Sequence, residues 1–168
     1  MSHLEVISEG SRLWHYVREA TLGHLRFASA CPSYWTRLLN NAPLISIVDD
    51  DSVIRGAIES LVMSYGFLTR TFASAEAFLQ SGQLTETSCL ISDVQMPNIS
   101  GVELQQRLAD QGLCIPMIFI TAYPDDAVRA RVLSAGAVGY LQKPFDQQSL
   151  MQCVGDALQR RGGEIASD

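Results

Sequence analysis

Leu44-Ile45-Ser46-Ile47-Val48-Asp49-Asp50-Asp51 is a short apolar run, rich in branched side chains, that ends in three consecutive aspartates. Runs of this kind suit a strand buried on both faces, as in a parallel sheet. The figure returns downstream. Cys89-Leu90-Ile91-Ser92 closes on Asp93, residues 116–120 close on Thr121, and residues 138–141 are followed shortly by Lys143. Residues 67–72 read as one more strand. Between these runs the apolar period changes from two to between three and four. Residues 53–65 place Val53, Ala57, Leu61 and Tyr65, with Ile54, Ile58 and Val62, on one helical stripe, and Gly66 is a suitable stop. Asp51 or Ser52 would cap that helix.

A short helix is expected over residues 74–79. Ser100-Gly101-Val102-Glu103 has capping-box spacing and opens a helix to about Ala109. A further helix runs from about Asp125 to Ser134 and ends near Gly136, and Asp146 can cap a last one reaching about Gln159. The acidic pair Asp125-Asp126 suits a helix start, where the dipole favours negative charge. Five strands alternating with five helices predict an α/β fold, a parallel sheet covered on both faces. Ligands of such sheets bind beyond the carboxyl ends of the strands, where strand order reverses. Asp49 and Asp50, Asp93, Thr121 and Lys143 all fall on that rim.

These residue types suggest a chemistry. Converging carboxylates repel unless a cation lies among them, and hard oxygen donors favour Mg²⁺. A carboxylate can also attack phosphorus to form an aspartyl phosphate, a transfer that depends mainly on positioning and on neutralising the equatorial oxygens. Lys143 can supply positive charge, and the Thr121 hydroxyl can donate to a phosphoryl oxygen.

Composition narrows the alternatives. The chain has 168 residues, 47% apolar, with a formal net charge of −6. All three histidines and both tryptophans lie in residues 1–43, where four arginines face three glutamates. Residues 44–168 hold no histidine, a single lysine and a net charge of −7, from eight basic and fifteen acidic groups. That body cannot build a Ser-His-Asp or Cys-His arrangement or the usual histidine-bearing zinc site. Its charge is also wrong for a nucleic-acid groove. No run of apolar residues is long enough to span a membrane. No secretory signal is evident, which makes the cytoplasm the default location. Cys31, Cys89, Cys114 and Cys153 form no C-x-x-C pair and are expected to be buried, reduced thiols.

Val48-Asp49-Asp50-Asp51, Ser92-Asp93-Val94-Gln95-Met96-Pro97 with Gly101, Ile120-Thr121-Ala122 and Gln142-Lys143-Pro144-Phe145 together resemble a two-component response-regulator receiver domain. Ala135-Gly136-Ala137-Val138-Gly139-Tyr140 and Ser74-Ala75-Glu76-Ala77-Phe78 resemble its FixJ-like subgroup in particular. The resemblance implies the flavodoxin-like (βα)5 fold with strand order 2-1-3-4-5. It makes Asp93 the phosphoryl acceptor. Asp50 would ligate Mg²⁺ directly, Asp49 would assist through water, and the Gln95 carbonyl would complete the protein ligands. Thr121 and Lys143 would contact the phosphoryl group, and Tyr140 would change rotamer as Thr121 moves. The family also implies a cis Lys143-Pro144 bond. Asp-x-Asp-x-Thr, the signature of Mg²⁺-dependent phosphatases and phosphomutases, fits Asp49-Asp50-Asp51-Ser52-Val53 poorly. The expected protein is a signalling switch rather than an enzyme. A phosphorylation-independent adaptor of the same fold is the alternative.

Three segments are expected: an N-terminal extension over 1–43, the receiver over 44–160 and a flexible tail over 161–168. Trp14, Val17, Thr21, Leu25 and Ala28 form a modest helical stripe that Cys31-Pro32 would end. The extension is either a docking helix or an overextension of the start site, the natural chain then beginning near Asn40-Asn41. FixJ-like receivers usually continue into a helix-turn-helix domain, and none is expected after Arg160-Arg161. The expected partners are therefore a sensor histidine kinase or phosphotransfer protein and a downstream protein, with no direct DNA or membrane contact. A homodimer on phosphorylation is a further expectation. The last helix, strand five and the helix before it would form the partner surface.

Overall fold

The computed structural model describes residues 42–164, and the unit that begins at Pro43 is considered by itself. The expected stripe from Trp14 to Ala28, Cys31-Pro32 and the last tail residues lie outside the described residues. The elements alternate as β1 (Leu44–Val48), α1 (Ser52–Ser64), β2 (Leu68–Phe72), α2 (Ala75–Leu79), β3 (Thr87–Asp93), α3 (Gly101–Asp110), β4 (Met117–Thr121), α4 (Asp126–Ser134), β5 (Gly139–Gln142) and α5 (Gln147–Glu164). All strand pairs are parallel, and the order is β2-β1-β3-β4-β5, the flavodoxin-like arrangement expected from the sequence. Among the described residues, no helix is long and apolar enough to cross a membrane.

The strand period of two divides the core between the two faces of the sheet. Ile45, Ile47, Cys89, Ile91, Ile118 and Ile120 point to one face, where Ile58 and Val62 of α1 and Leu150, Met151, Val154 and Ala157 of α5 cover them. Val48, Leu90, Met117 and Phe119 point to the other, under Phe78 of α2, Leu104 and Leu108 of α3 and Val132 of α4. Burying the central strands on both sides explains why β1, β3 and β4 carry almost no alternation. Edge strand β2 is half exposed.

Local signals hold at most boundaries. The side chain of Asp51, rather than that of Ser52, caps α1 by accepting from the Val53 and Ile54 N–H groups. Gly66 follows α1 at φ 85°, a conformation open to glycine at little cost. The Ser100–Glu103 capping box is complete.

Three expectations need correction. Val53 and Ala57 do not join the buried stripe of α1, Val53 being 78% exposed. A helix lying on an open sheet buries a stripe roughly 100° wide, which Ile54, Ile58, Leu61, Val62 and Tyr65 already fill. Cys114 is exposed, because Leu113 and Ile115 turn inward around it, whereas Cys89 is buried and Cys153 partly so. Helix α5 runs to Glu164, beyond the expected start of a tail at 161.

Candidate functional site

Strand order reverses between β1 and β3, which leave the sheet as neighbours. Their carboxyl ends carry the acidic groups. Asp49 and Asp50 follow Val48, and Asp93 is the last residue of β3. One oxygen from each of these three carboxylates lies within 4.8 Å of the others. Asp49 is fully buried, Asp93 nearly so, and Asp50 is exposed.

The loop after β5 delivers Lys143 into this cluster across 50 residues of chain from Asp93. Its Nζ donates to Asp49 Oδ2 at 2.9 Å and also to Asp93 Oδ2. Register places the lysine there: Thr121 pairs with Gln142, and the Lys143 N–H donates to the Thr121 carbonyl at 2.7 Å. The next peptide, Lys143-Pro144, is cis, as the resemblance implied.

Backbone donors fix the carboxylates further. The Gln95 N–H donates to Asp93 Oδ1 at 2.9 Å, and the Asp51 N–H to Asp49 Oδ1 at 2.8 Å. Burial pushes the Asp49 carboxyl above its ordinary range, against the opposing pull of Lys143 and the Asp51 N–H. Burial alone would lower the lysine, but its bonds to Asp93 and Asp49 outweigh that and hold the ammonium above its usual value. Three carboxylates around one ammonium leave a formal charge of −2 in a partly dry crevice. A divalent cation with hard oxygen preference would neutralise it, so the donor set fits Mg²⁺.

The other expected residues lie close by in sheet order, with their polar atoms engaged elsewhere. Thr121 is buried at the end of β4, and its hydroxyl is turned to its own loop. It accepts from the Tyr123 N–H at 3.1 Å and lies 3.2 Å from the Tyr123 carbonyl. The Tyr140 ring packs against the core, and its hydroxyl accepts from the N–H of Asp125, the cap of α4, at 3.2 Å. Gln95 is exposed and joins the cluster through its N–H.

Two residues matter more here than their sequence suggests. Gly101 opens α3 directly against β3; a Cβ there would meet the Asp93 carbonyl oxygen at 2.2 Å. Arg55, one turn into α1, donates from Nη1 to the Asp49 carbonyl at 2.6 Å. The signal for Arg55 was present in its four-residue spacing from Asp51, but a surface helical charge reads the same way.

A family model described as the response regulator receiver domain matches residues 45–155. The chain is similar to the response regulator protein TmoT of Ectopseudomonas mendocina, 42% identical over 116 residues, covering 68% of this chain and 52% of that protein. It is also similar to the crystal structure of FixJ-N, with TM-score 0.64 and 31% identity over 71% of this chain and 95% of that one. A response regulator receiver protein from Burkholderia phymatum gives TM-score 0.61 and 41% identity over 70% and 95% of the two chains. The chain spans about half the length of the curated relatives it matches first.

Proposed function

The chain belongs to the response regulator receiver domain family of two-component signalling, and from that premise we propose that Asp93 accepts a phosphoryl group from a histidine kinase or phosphotransfer protein and so switches the binding of a downstream protein. The observation that carries this reading is the meeting of Asp49, Asp50, Asp93 and Lys143 at the reversal of strand order. Asp50 and Asp93, with Asp49 and the Gln95 carbonyl, would hold Mg²⁺, which when bound supplies positive charge to the phosphoryl oxygens.

In the transfer, an Asp93 carboxylate oxygen forms a bond to phosphorus. The bond from phosphorus to the donor nitrogen breaks, and its electron pair leaves with the donor imidazole. Lys143 is placed to follow the charge from the carboxylate to the phosphoryl oxygens. Thr121 would give up its contacts with the Tyr123 backbone to donate to the same group, and Tyr140 would move with that loop. The domain acts as an acceptor rather than an enzyme, in the cytoplasm, and it is read as a FixJ-like receiver. The −7 charge of residues 44–168 argues against direct DNA contact by this domain. Output would run through α4, β5 and α5 to a protein partner, with pairing of phosphorylated copies as a further outcome.

The test is an intact-mass measurement after incubation with acetyl phosphate. With Mg²⁺ the protein gains one phosphoryl group, and with chelator it gains none. Absence of a gain with acetyl phosphate, phosphoramidate and a histidine-kinase panel would return the protein to the adaptor reading.

Tyr123 adds a second expectation. Tyr123 is 72% exposed and its N–H donates to the Thr121 hydroxyl, so the residue adjoins an expected phosphoryl contact. A ring that screens an acyl phosphate from water slows its hydrolysis. Tyr123→Ala should shorten the phosphoform lifetime by up to about tenfold, a barrier change of ~1.4 kcal/mol. Equal lifetimes for the two proteins would exclude the shield.

A further inference from the structure

Asp49 and Asp50 differ sharply in how they are held. Asp49 is anchored at every polar atom. Its N–H donates to the Phe72 carbonyl at 3.2 Å, and its carboxylate takes the Asp51 N–H and the Lys143 ammonium. Its carbonyl takes the Arg55 guanidinium. Asp50 is the exposed member of the three carboxylates. It reaches the cluster from the peptide it shares with Asp49, whose oxygen is the atom that Arg55 holds.

Helix α1 provides the lever. Asp51 caps it, and the Arg55 N–H makes the first helical bond, to the Asp51 carbonyl at 2.9 Å. The Arg55 side chain then runs back along that turn to the end of β1. Helix and strand end are thus tied across the three aspartates by one short, charge-assisted bond. The orientation of a peptide plane sets the direction in which the next side chain leaves the backbone. Holding the Asp49 carbonyl therefore holds the starting direction of the Asp50 side chain.

We infer that Arg55 is a positioning residue for the cation site: by fixing the Asp49–Asp50 peptide it aims the Asp50 carboxylate at Asp93. The inference rests on the functional reading above and adds to it a residue outside the acidic set. Two effects of Arg55 oppose each other, so the sign of the result is informative. As a bare positive charge beside the site it weakens the binding of a divalent cation. As a positioning group it strengthens it. Partners of this second kind typically change metal affinity by about 10–100-fold when removed, and the half-buried Arg55 guanidinium is already engaged by the Asp49 carbonyl. Positioning dominates.

The experiment is a Mg²⁺ titration followed by the rise in thermal midpoint, each protein referred to its own metal-free midpoint so that a loss of fold stability does not enter. Four proteins are compared: wild type, Arg55→Met, Arg55→Lys and Asp50→Asn. The expected result is Mg²⁺ affinity about tenfold weaker in Arg55→Met. Arg55→Lys, which keeps the charge and one donor, recovers most of that loss, and Asp50→Asn shows little response to Mg²⁺. Unchanged or tighter Mg²⁺ binding by folded Arg55→Met overturns the inference while leaving the site intact. A wild type that does not respond to Mg²⁺ overturns the site reading and the inference together. The phosphorylation assay then shows whether Asp93 still acts as acceptor.

Discussion

Asp93→Asn should take up no phosphoryl group from acetyl phosphate in Mg²⁺, while wild type takes up one. The substitution preserves size and shape. The amide oxygen can still accept the Gln95 N–H, which lies 2.9 Å from Asp93 Oδ1. What changes is the atom facing Lys143. The carboxylate oxygen that accepts from the ammonium becomes an NH₂ group, so donor meets donor. An amide oxygen is also a far poorer nucleophile than a carboxylate oxygen, and loss of the nucleophile removes the reaction by orders of magnitude. Lys143 keeps its second partner, Asp49, at 2.9 Å, so the fold should survive. Circular dichroism of the variant separates lost chemistry from lost structure. A gain of one phosphoryl group by folded Asp93→Asn equal to that of wild type would move the acceptor to another carboxylate.

Gly101→Ala should be the most damaging single-methyl change at the site. Helix propensity favours alanine over glycine by about 1 kcal/mol inside a helix, so a reading from propensity alone expects a more stable protein. The geometry opposes it. A Cβ at this position would lie 2.2 Å from the Asp93 carbonyl oxygen and 2.9 Å from Ser92 Oγ. The nearer atom is backbone, and its strand is locked between β1 and β4. The neighbouring Gly101 N–H bond to the Val94 carbonyl, at 3.0 Å, would also have to open. Overpacking of this kind outweighs propensity, with a net loss of about 3 kcal/mol and a fall in thermal midpoint of roughly 10 °C. Phosphoryl uptake should slow as well, because relief of the clash moves the Asp93 backbone. A variant as stable as wild type would show that α3 can shift outward at little cost.

The sequence and the structure agree best where one physical signal acts alone. The buried runs at 44–48, 89–92 and 116–120 are strands because they are too short for a buried helix and suit a sheet covered on both faces, and β1 keeps the expected bounds. Asp51, Ser100 and Asp125 are caps because their short acceptors sit beside unpaired helix donors. Agreement fails where burial depends on which neighbour covers a position. Val53 belongs to an apolar stripe in sequence, but α1 turns it toward solvent. Cys114 sits between two apolar residues that turn inward and leave it outside.

The sequence by itself determined the strand and helix order, and with it the rim that gathers Asp49, Asp50, Asp93, Thr121 and Lys143. Strand ends are a property of local pattern, and the acidic or hydroxyl residue that follows each run is visible in one dimension. Only the tertiary structure decided how those groups are engaged. Lys143 bridges Asp49 and Asp93, Thr121 faces the Tyr123 backbone, the Tyr140 hydroxyl meets the cap of α4, and Arg55 grips the Asp49 carbonyl. These contacts depend on register between strands far apart in the chain and on the direction in which a helix leaves its strand. Hydrogen bonds act over about 3 Å, a scale that residue spacing does not encode.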